Sequence, residues 1–83
     1  MEIGVEISLY PLNADYIPPI QLFIDRLNAK PGLRIQTNSM STQIFGDYDR
    51  IMALLTRELR ETFASNAKAV FVMKLLGPLT ATA

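Results

Sequence analysis

The chain has 83 residues, 49% hydrophobic and 19% charged, and its eight basic and eight acidic side chains cancel. Such a balance describes one small folded domain spanning 1–83. It excludes a disordered segment, an electrostatic footprint for nucleic acid and a polybasic membrane anchor. Cys and His are both absent, which removes disulfides, thiolate nucleophiles, the commonest general base and the commonest metal ligands.

The first stretch alternates, with Ile3, Val5, Ile7 and Leu9 on one side and Glu2, Gly4, Glu6, Ser8 and Tyr10 on the other. Period two with β-branched residues predicts a half-buried strand, closed by Pro11. Glu2 and Glu6 sit where a signal peptide would be basic, and no apolar run approaches a membrane span, so a cytoplasmic setting is expected. Asp15 is placed to cap a helix whose first turn holds Pro18 and Pro19. Ile20, Phe23, Ile24 and Leu27 give that helix its apolar stripe, and Lys30-Pro31-Gly32 stops it.

A second strand follows, in which Leu33, Ile35 and Thr37 alternate with Arg34, Gln36 and Asn38. Thr42 to Phe45 make a third, and Gly46-Asp47 is a boundary, with Asp47 a good N-cap. Tyr48, Met52, Leu55, Leu59 and Phe63 predict one face of a second helix, with Arg57 and Glu61 as an i,i+4 pair and Ser65-Asn66 at its end. Ala69 to Met73 read as a last strand, apolar on both sides, and 79–83 as a frayed tail.

The order is βαββαβ. That is the split βαβ, ferredoxin-like α+β sandwich: a four-stranded antiparallel sheet with both helices on one face. Glu6, Ser8, Tyr10, Gln36, Asn38, Gln43 and Phe45 are then expected on the open face, which water, a ligand or another subunit must cover.

Between the second and third strands, Asn38, Ser39, Ser41 and Thr42 surround Met40 with four hydrogen-bonding side chains. A turn needs fewer, and such a cluster suits a small polar ligand held without catalysis. Catalytic alternatives are poor. The hydroxyls lack an evident base, Lys68 and Lys74 read as surface cations, and Asp47 and Asp49 serve as cap and helix-dipole charges. No metal site is expected. Glu6 can pair with Arg34, meet water or face a cationic ligand. Tyr10 and Phe45 on neighbouring strands suggest ring stacking or a subunit interface. Stacking on RNA lacks both the aromatic motif and the charge it needs.

The segments Glu6-Ile-Ser-Leu-Tyr-Pro-Leu12, Asp15-Tyr-Ile-Pro-Pro-Ile20, Thr37-Asn-Ser-Met-Ser-Thr42 and Ile44-Phe-Gly-Asp47 resemble the YkoF-type thiamine and hydroxymethylpyrimidine-binding domains. The resemblance runs from the first strand to the last. It implies a ferredoxin-like fold that binds the pyrimidine part of thiamine without chemistry and without a cofactor, in thiamine uptake or salvage. It implies pairing of single-domain chains as a homodimer or dimer of dimers. Carried over by motif, Ser8, Tyr10, Asn38, Met40, Ser41, Thr42 and Phe45 would form the ligand site, with Glu6 or Asp47 beside a thiazolium cation. The alternative is a structural or regulatory interaction module that oligomerises through the open sheet face without a ligand.

Overall fold

A computed structural model describes residues 1–12, 17–65 and 68–79. Six elements follow in chain order: β1 (Glu2–Pro11), α1 (Ile17–Asn28), β2 (Arg34–Thr37), β3 (Thr42–Asp47), α2 (Tyr48–Ser65) and β4 (Ala69–Leu79). The four strands form one antiparallel sheet in the order β2-β3-β1-β4, the ferredoxin-like arrangement expected from the sequence. The proposed Asp15 cap and Asn66 lie outside the described residues.

The alternation in β1 does what its period dictates. Ile3, Val5, Ile7 and Leu9 are buried against the helices, joined by Ile44 of β3, Phe23 and Leu27 of α1, and Ile51, Leu54 and Leu55 of α2. Each such side chain contributes roughly 1.5–3 kcal/mol when fully buried, so this shared layer carries most of the stability. Pro18 and Pro19 sit in the first turn of α1, where their missing N–H groups leave no bond unmade. Beyond α1, Gly32 takes φ +86°, a left-handed conformation that suits a residue with no Cβ.

The core face of α2 differs from the one expected. Leu55 is buried, but Tyr48 and Phe63 are exposed, and the buried stripe runs through Ile51, Leu54, Leu55, Glu58 and Thr62. Two polar residues lie inside because α1 supplies their partner. Arg26 Nε donates to Glu58 Oε1 at 2.6 Å, and Arg26 Nη2 donates to Thr62 Oγ1 at 3.0 Å. Arg57 approaches Glu58 at 3.9 Å instead of pairing with Glu61.

β4 is the second departure. It does not stop near Met73 but runs for eleven residues, pairing with β1 from Pro11↔Ala69 to Glu2↔Leu79. Leu79 therefore belongs to the sheet and not to a tail, while 80–83 lie outside the described residues. Its directly opposed partners place Val70, Val72, Lys74 and Leu76 on the open face with Tyr10, Ser8, Glu6 and Gly4.

Candidate functional site

The β2–β3 connection is built by Asn38. Its Oδ1 accepts from the amides of Met40 at 2.8 Å and Ser41 at 3.1 Å, and its own amide donates to the Ser41 carbonyl at 3.0 Å. That is the local self-bonding for which Asn is favoured in turns. The Asn38 side chain thus sits in the turn and not on the sheet face, and its Oδ1 is already engaged. Asn38→Ala should cost about 1 kcal/mol in urea denaturation, because two backbone donors lose their acceptor. Asn38→Asp should retain most of that stability.

This turn closes one end of a cleft of about 440 Å³ at the end of the sheet. Ile7 and Leu9 of β1 line it from the sheet side, Ile20, Phe23 and Ile24 from α1, and the run from Thr37 to Thr42 at the turn. The volume falls in the range of small-molecule sites, about 300–1,000 Å³. Thr37 and Thr42, opposite one another in register, bring their hydroxyls to 3.1 Å. Thr42 is buried, facing the helices with Ile44, whereas Thr37 remains exposed. Among the described residues, no charged side chain lines the cleft. Its chemistry is an apolar recess with hydroxyls and an amide on one side.

Six of the nine residues singled out from the sequence come together here: Ser8, Tyr10, Asn38, Met40, Ser41 and Thr42 all line the cleft. Ser8 Oγ donates to the Met40 carbonyl at 3.4 Å, tying the turn to β1, and Met40 stands 82% exposed at the rim. Phe45, Glu6 and Asp47 are elsewhere. Phe45 pairs with Gly4, six residues back along β1 from Tyr10 and thus about 20 Å away, so one ring cannot stack on both. The Phe45 ring is engaged locally. It covers Gly4, where a Cβ would fall 3.0 Å from Phe45 Cε1, and Arg34 lies over it at 4.5 Å from the centroid.

Arg34 is therefore not the partner of Glu6. Glu6 faces Lys74 across the strands at 3.8 Å, and its Oε2 accepts from Ser41 Oγ at 3.0 Å. Gln43 Nε2 donates to the same Ser41 hydroxyl at 2.8 Å. A polar network on the open face thus braces the turn from behind. Asp47 stands opposite Glu2, where its Oδ2 accepts from the Arg50 amide at 3.2 Å as the N-cap of α2. Among the described residues, no group of three or more His, Cys, Asp or Glu could hold a metal ion, and no helix is long and apolar enough to cross a membrane.

The apolar half of the cleft went unassigned in the sequence. Ile20 and Ile24, two of the four residues in the apolar stripe of α1, are only partly buried. The available signal was that α1 offers four apolar side chains at helical spacing to a sheet end that β2, only four residues long, leaves short.

Fold and cleft together define a ferredoxin-like domain with a largely apolar recess at one end of its sheet. The chain belongs to the YkoF-related family, whose model matches residues 2–75. No curated protein matches the chain. Among solved structures it is similar to a candidate thiamine biosynthesis/salvage protein of Thermotoga maritima, at TM-score 0.85 and 16% identity, over 98% of this chain and 91% of that one. It is similar also to a Streptococcus pneumoniae protein, at TM-score 0.86 and 18% identity, over 95% and 89%. A hypothetical protein of Methanocaldococcus jannascii follows at TM-score 0.79 and 21% identity, over 94% and 81%. At these identities the likeness establishes the fold.

Proposed function

We propose that this protein binds thiamine or its hydroxymethylpyrimidine precursor without catalysing a reaction, in thiamine salvage or uptake in the cytoplasm. The observation that carries the reading is the cleft, where an apolar slot between α1 and β1 ends in the Thr37–Thr42 hydroxyl pair and the Asn38 turn. An aminopyrimidine has flat faces for Phe23, Ile20 and Ile24, ring acceptors for hydroxyl donors and an exocyclic amine for hydroxyl or carbonyl acceptors. Membership of the YkoF-related family and the thiamine connection of the Thermotoga maritima protein support the same ligand class.

The lining also ranks the candidates. With no cation among the described residues that line the cleft, a phosphate inside it would lose hydration and gain no countercharge from them, which favours entry of the pyrimidine end. Calorimetric titration should therefore give saturable one-site binding with hydroxymethylpyrimidine and thiamine, and weaker binding with thiamine pyrophosphate. No heat with any of the three, from folded protein, would refute the ligand class. Tightest binding of the pyrophosphate would refute the orientation.

The interaction-module reading has a specific observation of its own, the exposed apolar side chains Val70, Val72 and Leu76 on the open face. Binding and self-association are compatible, since the cleft opens at the end of the sheet.

A further inference from the structure

The turn at the end of the cleft holds its own shape, but its place against the sheet must come from elsewhere. Asn38 closes it internally, through the amides of Met40 and Ser41. Residues 38–40 are exposed, so packing does little to press the turn onto its neighbours. The ladder stops short as well. Pairing of β3 with β1 ends at Ile7↔Thr42, and Ser8, Leu9 and Tyr10, which line the cleft, have no partner in β3.

Among the described residues, two side-chain bonds tether the turn to β1. The bond from Ser8 Oγ to the Met40 carbonyl is long, at 3.4 Å. The bond from Ser41 Oγ to Glu6 Oε2 is shorter, at 3.0 Å, and charge-assisted. Gln43 Nε2 donates to the same hydroxyl at 2.8 Å, which leaves its proton for Glu6. Glu6, Gln43 and Lys74 stand opposite one another on three adjacent strands. The Lys74 side chain is 81% exposed, so water screens its 3.8 Å contact and Ser41 is the firmer partner of Glu6.

Glu6 does not line the cleft, so its effect on a molecule seated there passes through Ser41. We propose that Glu6 is a positioning residue for the cleft, acting from the open face through the Ser41 hydroxyl to hold the 38–41 turn against β1. This inference rests on the proposed function in one respect, that the turn forms a wall of the ligand site. What the bond supplies is preorganisation. A turn free to wander must be ordered when ligand binds, and that cost lowers affinity. The carboxylate thereby has a different role from a thiazolium partner. A cation partner acts on thiamine alone, whereas a brace acts equally on thiamine and on the uncharged hydroxymethylpyrimidine.

The test combines calorimetry with amide hydrogen exchange on Glu6→Ala, Glu6→Gln and Ser41→Ala. Glu6→Ala should weaken hydroxymethylpyrimidine and thiamine alike, by about tenfold. Glu6→Gln, whose amide oxygen still accepts from Ser41, should bind within about threefold of the wild type. In a Ser41→Ala background, Glu6→Ala should cost no further affinity. Without ligand, the amides of Asn38, Met40 and Ser41 should exchange faster in Glu6→Ala and Ser41→Ala, and at the wild-type rate in Glu6→Gln. Loss of thiamine binding alone, without rescue by Gln, would make Glu6 a direct cation partner and overturn the proposal. Unchanged affinity in Glu6→Ala overturns it too, as does an undiminished loss in the Ser41→Ala background. Should the wild type bind neither ligand, the proposed function fails and exchange alone decides the tether. Faster exchange in Glu6→Ala then supports it, and unchanged exchange overturns it. Should Glu6→Ala fail to fold by circular dichroism, Ser41→Ala removes the same bond from the turn, and its exchange is read in the same way.

Discussion

Replacing Arg26 by Ala is expected to destabilise the protein by about 3 kcal/mol, more than any surface substitution. The cause is the environment of Glu58, a side chain only 4% exposed, whose Oε1 lies 2.6 Å from Arg26 Nε. Without the guanidinium, the carboxylate stays between the helices beside the distant Arg57 contact at 3.9 Å, and Thr62 loses the Arg26 hydrogen bond. In a domain of this size the loss corresponds to a fall in Tm of about 15 °C. Arg26→Met/Glu58→Leu should recover most of it, since two apolar side chains of similar length fill the space without a charge to satisfy. Thermal unfolding by circular dichroism checks both. An Arg26→Ala variant that melts with the wild type would mean that water already reaches Glu58.

The second large effect is on binding. Thr37→Val/Thr42→Val preserves shape at the turn end of the cleft and removes the two hydroxyls that stand 3.1 Å apart. Affinity for hydroxymethylpyrimidine should fall about tenfold or more, the worth of one or two hydrogen bonds to a desolvated ligand. Stability should change little, because the pair satisfies itself and both members go together, leaving no orphaned partner. That separation makes the pair a cleaner probe than Asn38, whose removal would loosen the turn and confound binding with folding. Calorimetry beside a urea melt of the same variant distinguishes the outcomes. Unchanged affinity would detach the hydroxyl pair from the site.

Much of the fold was legible because its signals are local. The alternation of Ile3, Val5, Ile7 and Leu9, the prolines opening α1 and Gly32 closing the turn after it each act within a few residues. The features that the sequence hides depend on distant partners. Glu58 and Thr62 look like a solvent face until Arg26 arrives from the other helix, and the expected stripe through Tyr48 and Phe63 was rotated for that reason. Leu75 to Leu79 contain Gly77 and Pro78, which punctuate a sequence locally, yet the extended length of β1 carries the pairing through to Leu79. The candidate site divides along the same line. The polar turn could be seen in the sequence as an excess of Asn, Ser and Thr. Its apolar wall could not, because a side chain lining a cleft and one filling a core have the same periodicity. Phe45 and Tyr10 share one face of the sheet, and alternation alone groups them. Only the register, which sets Phe45 against Gly4 and Tyr10 against Val70, separates them.

The most direct test of the cleft as the ligand site is a nitrogen-15 amide shift map of the protein titrated with hydroxymethylpyrimidine. The largest changes should fall on Leu9, Tyr10, Ile20 to Ile24 and Thr37 to Thr42, with Gly4, Phe45 and Asp47 still. Saturable changes centred instead on Phe45, Lys74 and Leu76 would place the ligand on the open sheet face and contradict the assignment.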